Sequence, residues 1–307
     1  MNILLTGSAG QLGRELWPQL ARIGTVTGVD RVASDAGLNA MQQDLGDLDR
    51  LEALLDRLEP DVIVNAAAYT AVDRAESDAA AAYRVNAELP GRLARWTRRH
   101  DRLLVHYSTD YVFSGEARRP YREDDPTGPL SVYGESKLGG EQAIAASGCR
   151  HMVLRTSWVY ASHGSNFVLT MLRLARERPT LSIVADQVGC PTWARNLASV
   201  TARALARMVS DPHGSPVSGT WNYCDSTAVS WYDFARAIFD AALAAGLLDR
   251  APQTVAVPSA EFPQAAVRPM YSVLDTSAIR RDFGIQPAPL EDSLLACLEE
   301  LKGHDDT

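Results

Sequence analysis

Apolar residues follow two alternating periods along the first half of the chain. Asn2–Thr6, Val26–Asp30, Asp61–Ala66, Leu103–Ser108 and Met152–Arg155 are short apolar runs, the pattern of strands covered on both faces. Two later runs, near Leu181–Val184 and Thr220–Tyr223, have the same character. Between the early runs the spacing changes to three and four. Leu12, Leu16 and Leu20 recur every four residues, Leu51 and Leu55 do the same, and Leu89, Leu93 and Trp96 share one face. Strands alternating with helices predict an α/β fold, a doubly wound parallel sheet with helices on both sides. Pro18 interrupts the first helical pattern. It has no N–H and crowds the preceding turn, so a kink or an early end is expected there.

The last third reads differently. Pro212 to Gly219 is rich in Pro, Ser and Gly, and Pro252 to Pro269 holds four prolines. Both are expected to be loops joining or crossing a smaller lobe. Gly303 to Thr307 is polar and expected to fray.

Composition narrows the function classes. Of 307 residues, 46% are hydrophobic and 22% charged, which excludes a disordered chain or a rod. The formal net charge of −8 argues against a grip on nucleic-acid phosphates. No apolar run approaches the roughly 20 residues of a membrane span. The opening Met-Asn-Ile-Leu-Leu-Thr-Gly lacks a basic leader and enters a strand directly, so no signal peptide is expected. Cys149, Cys190, Cys224 and Cys297 are scattered, and the histidines form no paired ligand motif. Reduced thiols in the cytoplasm, with neither a zinc site nor a disulfide framework, are the simplest reading.

Thr6-Gly7-Ser8-Ala9-Gly10-Gln11-Leu12-Gly13 follows the first strand and opens the first helix. Gly7 permits a tight turn, Gly10 lets backbone approach a pyrophosphate, and Gly13 lets the helix pack against the sheet. The helix start then offers free N–H groups to the anion. Asp30 ends the second strand, seventeen residues after Gly13, near the spacing of a carboxylate that binds ribose hydroxyls. That carboxylate repels a 2′-phosphate, whereas Arg31 next to it attracts one. NADH and NADPH both stay open.

Tyr133-Gly134-Glu135-Ser136-Lys137 places Tyr and Lys on one helix face. An ammonium beside a phenol is expected to lower the phenol pKa, so that the pair can pass a proton to a forming alkoxide. Alone, the motif is very common and reads far more often as a surface Tyr and Lys. Upstream, the fourth strand runs out into Ser108-Thr109-Asp110-Tyr111, with Thr109 at the sheet edge where open α/β sheets bind ligands.

The glycine loop, the strand-end hydroxyl and the Tyr/Lys pair together resemble the extended short-chain dehydrogenase/reductases. Within them the chain is similar to the branch acting on dTDP-4-dehydrorhamnose. The likeness extends through Asn65-Ala66-Ala67-Ala68-Tyr69-Thr70, Val72-Asp73-Arg74-Ala75-Glu76, Arg155-Thr156-Ser157-Trp158-Val159-Tyr160, Asn166-Phe167-Val168, Asp186-Gln187-Val188-Gly189-Cys190-Pro191-Thr192 and Arg268-Pro269. The resemblance implies a Rossmann-type NAD(P)-binding domain over residues 1–155, with later returns near 180–212 and 228–257. A smaller C-terminal α/β lobe for the sugar nucleotide would take about 156–179, 213–227 and 258–307.

It further implies reduction by NADH or NADPH of the 4-keto group of dTDP-4-dehydro-L-rhamnose, yielding dTDP-L-rhamnose for cell-surface polysaccharide. Tyr133 would donate the proton, Lys137 would hold the nicotinamide ribose, and Thr109 would tune the transfer and with Asp110 contact the sugar. Trp158 would stack beside the deoxysugar, and Arg268 would meet the diphosphate. Gln11 and Leu12 of the glycine loop, Asp44 and Leu45 beside the adenine, and Ala67, Ala68 and Tyr69 would complete the cofactor site. Asp73 and Glu76 read otherwise as a solvated helix start. Rival readings are another nucleotide-sugar reductase or epimerase, and a non-catalytic regulatory relative.

Some relatives bind magnesium at a dimer contact through a Glu of the first helix and a Glu after the Gly-x-Pro-Thr segment. Glu15 is present, but Arg195 stands at the second position and has no lone pair to give. A magnesium-bridged dimer is therefore not expected. A monomer or weak homodimer is, with Arg195 able to pair with Glu15 of a neighbouring chain.

Overall fold

The first apolar run forms β1 (Asn2–Thr6) and turns through the glycine loop into α1 (Gln11–Leu20). The computed structural model describes residues 1–32, 39–210 and 218–305. The chain continues through β2 (Thr25–Asp30), β3 (Ala40–Gln42), α2 (Leu48–Leu58), β4 (Val62–Asn65) and the short α3 (Val72–Ala75) and α4 (Ala79–Tyr83). A π-helical turn, Arg84–Glu88, leads into α5 (Leu89–Arg99), then β5 (Leu103–Thr109), α6 (Val132–Ser147) and β6 (Arg150–Thr156). α1 ends two residues past Pro18, the early stop expected where a backbone donor is missing.

The later elements are β7 (Val159–Tyr160), α7 (Phe167–Glu177), β8 (Thr180–Val184), β9 (Val188–Gly189), β10 (Thr192–Trp193) and α8 (Ala194–Ser210). After these come β11 (Gly219–Asn222), β12 (Val229–Ser230), α9 (Trp231–Ala244), β13 (Gln253–Val257), α10 (Ser277–Phe283) and α11 (Leu290–Asp305).

Seven parallel strands form the main sheet in the order β11-β6-β5-β4-β1-β2-β3. Side chains alternate across it. Ile3 and Leu5 join Leu16, Leu20, Leu197 and Leu205 in a core under α1 and α8. Leu4 joins Leu51, Leu55, Leu93, Trp96 and Ile144 in a second core under α2, α5 and α6. Both faces are thus covered, and the helical leucines read from spacing are buried, save Leu12, which is half-buried against the first core. Burying Leu16, Leu51 or Leu93 is worth about 1.5–3 kcal/mol each.

A third core, built from Leu172, Leu181, Trp193, Phe234, Phe239, Leu290 and Leu298, gathers α7, α9 and α11 around β8. This redraws the expected division of the chain. The segment 213–227, expected in the smaller lobe, carries β11, which pairs with β6 and becomes the edge of the main sheet. Residues 228–257, expected back in the Rossmann unit, hold α9 and β13, and β13 pairs with β8 outside the main sheet. Of 258–307, α10 packs on the main sheet through Ile279 and Phe283, while α11 packs in the third core. The physical reason is that short apolar runs do not say which sheet they join, and long-range pairing decides.

Residues 253–257, expected as loop between prolines, form β13 because Pro252 and Pro258 lie just outside the paired stretch, where no N–H is needed. The stretch from Pro212 to Val217 lies outside the described residues, as do Asp306 and Thr307. Gly303 to Asp305, expected to fray, continue α11.

Candidate active site

The glycine loop is held by its own backbone. The Gly7 N–H donates to the Val29 carbonyl at 2.9 Å and the Gly10 N–H to the Gly7 carbonyl at 3.0 Å. Gly7 adopts φ +68°, and a Cβ there would come within 2.6 Å of the Ala67 nitrogen. A Cβ on Gly13 would lie 2.0 Å from the Gly7 carbonyl oxygen. At Gly10 it would meet only that same oxygen, at 3.1 Å. The loop is therefore a bare-backbone cradle at the start of α1, closed against the turn after β4. It fits a dinucleotide pyrophosphate.

Asp30 ends β2 beside this cradle, and its carboxylate accepts the Ala9 N–H at 3.0 Å and the Val32 N–H at 3.2 Å. Asp44 is exposed and accepts the Gly46 N–H, whereas Leu45 is buried in the core under α2. Gln11 turns to protein. Its amide donates to the Val159 carbonyl at 3.0 Å and accepts from Asn166 at 2.9 Å. Leu12 packs against the core under α1. What Gln11, Leu12 and Leu45 offer a ligand is thus backbone.

α6 carries the Tyr/Lys pair and is fixed at several points. Ser131 caps it by accepting the Gly134 N–H at 3.3 Å, and Glu76 accepts the Val132 N–H at 2.9 Å. Glu76 therefore caps α6 rather than merely starting its own helix. Farther along, Glu141 forms a bidentate pair with Arg155 of β6 at 2.9 and 2.7 Å, both side chains 7% exposed. Such a pair fixes orientation more than it stabilises, because desolvation offsets the attraction.

Lys137 is buried and its ammonium donates to the Tyr107 carbonyl of β5 at 2.5 Å. Burial pulls its pKa down to about 8, with Glu141 opposing. Tyr133 is half-buried and its ring meets Tyr111 edge to face, with centroids 5.9 Å apart. Its phenol is pushed up to about 12 by burial, with Thr109 lowering it and Asp110 raising it. This corrects the expectation that Lys137 would depress it. The ammonium donates instead to a backbone carbonyl of β5, and burial sets the direction for the phenol.

Thr109 is the last residue of β5. Its hydroxyl donates to Asp110 at 3.0 Å and accepts the Tyr111 N–H at 3.1 Å. Asp110 also accepts from Ser157 at 3.0 Å. Burial raises its carboxyl to about 6, against hydrogen bonds from Ser272, Thr109 and Ser157. Asp110 thus lies 2% exposed beneath Thr109, a support for the site.

Trp158 takes a left-handed φ of +46° and stacks on Trp231 with centroids 3.4 Å apart. A Cβ on Gly189 would strike its ring at 2.5 Å, so only glycine admits the indole there. Arg268 is bound by Asp73 at 3.0 and 2.7 Å, so Asp73 is an ion-pair partner and not simply a solvated helix start.

Two groups escaped sequence reading. Asn86 sits in the π-helical turn, fully buried. It accepts the Tyr69 N–H at 2.9 Å and donates to the Tyr69 carbonyl and to Ser136, each at 3.0 Å. It ties the turn bearing Ala67, Ala68 and Tyr69 to the helix bearing Tyr133, and no spacing announces it. A second chain runs from Thr6 to Asn65 at 2.6 Å and from Asn65 to His106 at 3.0 Å. Burial, then the Lys137 charge, hold His106 neutral.

Arg195 pairs with Glu15 at 2.8 Å and with Glu300, and His163 meets the other Glu15 oxygen at 3.0 Å. The ion pair imagined between chains closes within one chain. Burial opposes the Glu15 charge, but the bonds from His163 and Arg195 outweigh it and hold the carboxyl below its usual range. Among the described residues no group of three or more His, Cys, Asp or Glu is placed to hold a metal ion.

The family model described as the RmlD substrate binding domain matches residues 1–302. A dTDP-4-dehydrorhamnose reductase of Burkholderia thailandensis is 44% identical over 304 residues, 98% of this chain and 99% of that one. The crystal structure of a dTDP-4-dehydrorhamnose reductase from Clostridium acetobutylicum superposes with a TM-score of 0.85 at 34% identity, covering 98% of this chain and 100% of that one. The Bacillus anthracis dTDP-4-dehydrorhamnose reductase, solved in complex with NADP, gives a TM-score of 0.84 at 31% identity, covering 97% and 99%.

Proposed function

The chain belongs to the RmlD substrate binding domain family, and on that premise we propose that it reduces dTDP-4-dehydro-L-rhamnose to dTDP-L-rhamnose at the expense of NADH or NADPH. The observation that carries this is the meeting of Thr109, Tyr133 and Lys137 at the end of β5, on a sheet whose first turn is the glycine cradle. Gly7, Gly10, Gln11, Leu12 and Gly13, with Asp30, Arg31, Asp44, Leu45, Ala67, Ala68 and Tyr69, hold the dinucleotide. When bound, its dihydronicotinamide supplies the hydride.

The chain's own part is to place the keto sugar and to manage a proton. As negative charge grows on the sugar oxygen, the Tyr133 hydroxyl donates its proton to that atom. A pKa pushed up to about 12 keeps this phenol protonated at neutral pH, which is the state a reduction needs. With its one proton given to the buried Asp110, the Thr109 oxygen is left to accept from a sugar hydroxyl, and Asp110 keeps it aligned. Lys137 holds the nicotinamide ribose and so sets the distance between the reacting atoms. Trp158, one face on Trp231, gives its remaining surface to the deoxysugar. Arg268 meets the diphosphate. The four buried free cysteines support a cytoplasmic setting, where thiols stay reduced. Among the described residues no helix is long and apolar enough to cross a membrane.

The test is Tyr133→Phe assayed with a panel of 4-keto nucleotide sugars. Cofactor affinity stays near wild type while turnover falls by about 10²–10⁴-fold, the usual worth of general acid help. Near-wild-type turnover would sink the assignment.

A further inference from the structure

The Asp73–Arg268 pair joins residues 195 positions apart. Asp73 stands in the first turn of α3, after the turn that closes the glycine cradle. Arg268 lies in the segment that runs from Ala266 past Met270, whose carbonyl accepts the Val188 N–H at 2.9 Å. Three bonds pin that segment to α3. Arg268 donates to both Asp73 oxygens, and the Ala266 N–H donates to one of them at 3.1 Å. The guanidinium also donates to the Ala266 carbonyl at 3.1 Å. Its other facing side chain is Tyr111, whose hydroxyl it approaches. Tyr111 in turn packs its ring on Tyr133 and binds Thr109 through its backbone. The Arg268 side chain is 13% exposed and that of Asp73 47%.

We infer that Asp73 is a positioning residue for substrate binding: its carboxylate presets the Arg268 guanidinium beside Tyr111, ready for the diphosphate of the nucleotide sugar. This rests on the proposed role of Arg268. An arginine has many rotamers, and an anion that meets it free must first order it. Asp73 and the Ala266 carbonyl do this before substrate arrives. Removing that preorganisation costs about three- to tenfold in affinity, the worth of ordering one long side chain. The bidentate geometry matters, because a planar guanidinium is oriented by two parallel bonds and only tethered by one.

The experiment compares Asp73→Asn, Arg268→Gln and the double variant, all in the full-length chain. Two readouts are taken: KM and kcat with the keto sugar nucleotide, and binding of thymidine diphosphate by calorimetry. Asp73→Asn raises KM and weakens thymidine diphosphate binding about three- to tenfold. The cofactor KM and the melting temperature stay near wild type. Arg268→Gln has a larger effect, and adding Asp73→Asn to it changes little, since Asp73 acts through Arg268. If Arg268→Gln leaves diphosphate binding unchanged, the role of Arg268 itself fails. If Arg268→Gln weakens binding but Asp73→Asn leaves it unchanged or tightens it, Arg268 stands and the positioning role of Asp73 is overturned.

Discussion

Lys137→Met separates what this lysine does for the reaction from what it costs the fold. Methionine keeps the length of the side chain and removes its charge. In the folded chain burial lowers the Lys137 pKa from 10.5 to about 8. At about 1.4 kcal/mol per pKa unit, holding the ammonium in place costs roughly 3 kcal/mol at neutral pH. The sign follows from the proton count. Between pH 8 and 10.5 the unfolded chain keeps a proton that the folded chain has released, so wild-type stability gains from this group as pH rises through that window. The gain is lost again as pH falls through 8.

The methionine variant has no such dependence. Its melting temperature minus that of wild type should therefore fall by about 5 °C between roughly pH 7.5 and 10.5, given unfolding entropy typical for a chain of this length. The tyrosines that burial pushes upward titrate in both proteins and cancel in the difference. The lost bond to the Tyr107 carbonyl shifts the whole difference without changing its slope. Scanning calorimetry of both proteins across that range is the assay, with turnover measured alongside. Turnover should be largely lost at every pH. A melting difference flat with pH would refute the argument, because it would mean that the ammonium is not desolvated.

Two further outcomes are expected. Asp30→Ala should move cofactor preference toward NADPH by about fivefold, the effect of removing one partly exposed charge near a phosphate. Steady-state kinetics with both cofactors measure this, and a move toward NADH would contradict the placement of Asp30 at the ribose. Activity should also survive EDTA, since Arg195 already supplies the positive charge between Glu15 and Glu300. Loss of most activity on chelation, restored by magnesium, would show that the cation is needed after all.

Much of the site was legible in residue spacing because the features involved are local. A strand, three glycines and a helix in succession announce the cradle within a dozen residues, although Val29 and Ala67 close it. Tyr133 and Lys137 lie four apart on a helix, so one turn brings them to the same face. Thr109 ends an apolar run, and the end of a parallel strand is the sheet edge. Those inferences needed no knowledge of distant partners.

What depended on distant partners could be read only from the folded chain. β11 joins the main sheet through β6, about 70 positions upstream, and nothing within Gly219–Asn222 distinguishes it from β13, which pairs elsewhere. Asn86 binds two segments that meet only when α6 packs on the π-helical turn. Arg195 finds Glu15 in its own chain, 180 positions away, and Arg268 finds Asp73. The Tyr133 pKa moved opposite to what the spacing implied, and that of Lys137 fell, because burial supplies the largest contribution to both and is a property of everything packed around a group. Period and spacing set which local structures form. Pairing partners and desolvation arise only when distant segments close on one another, and these set the charge state of the groups that react.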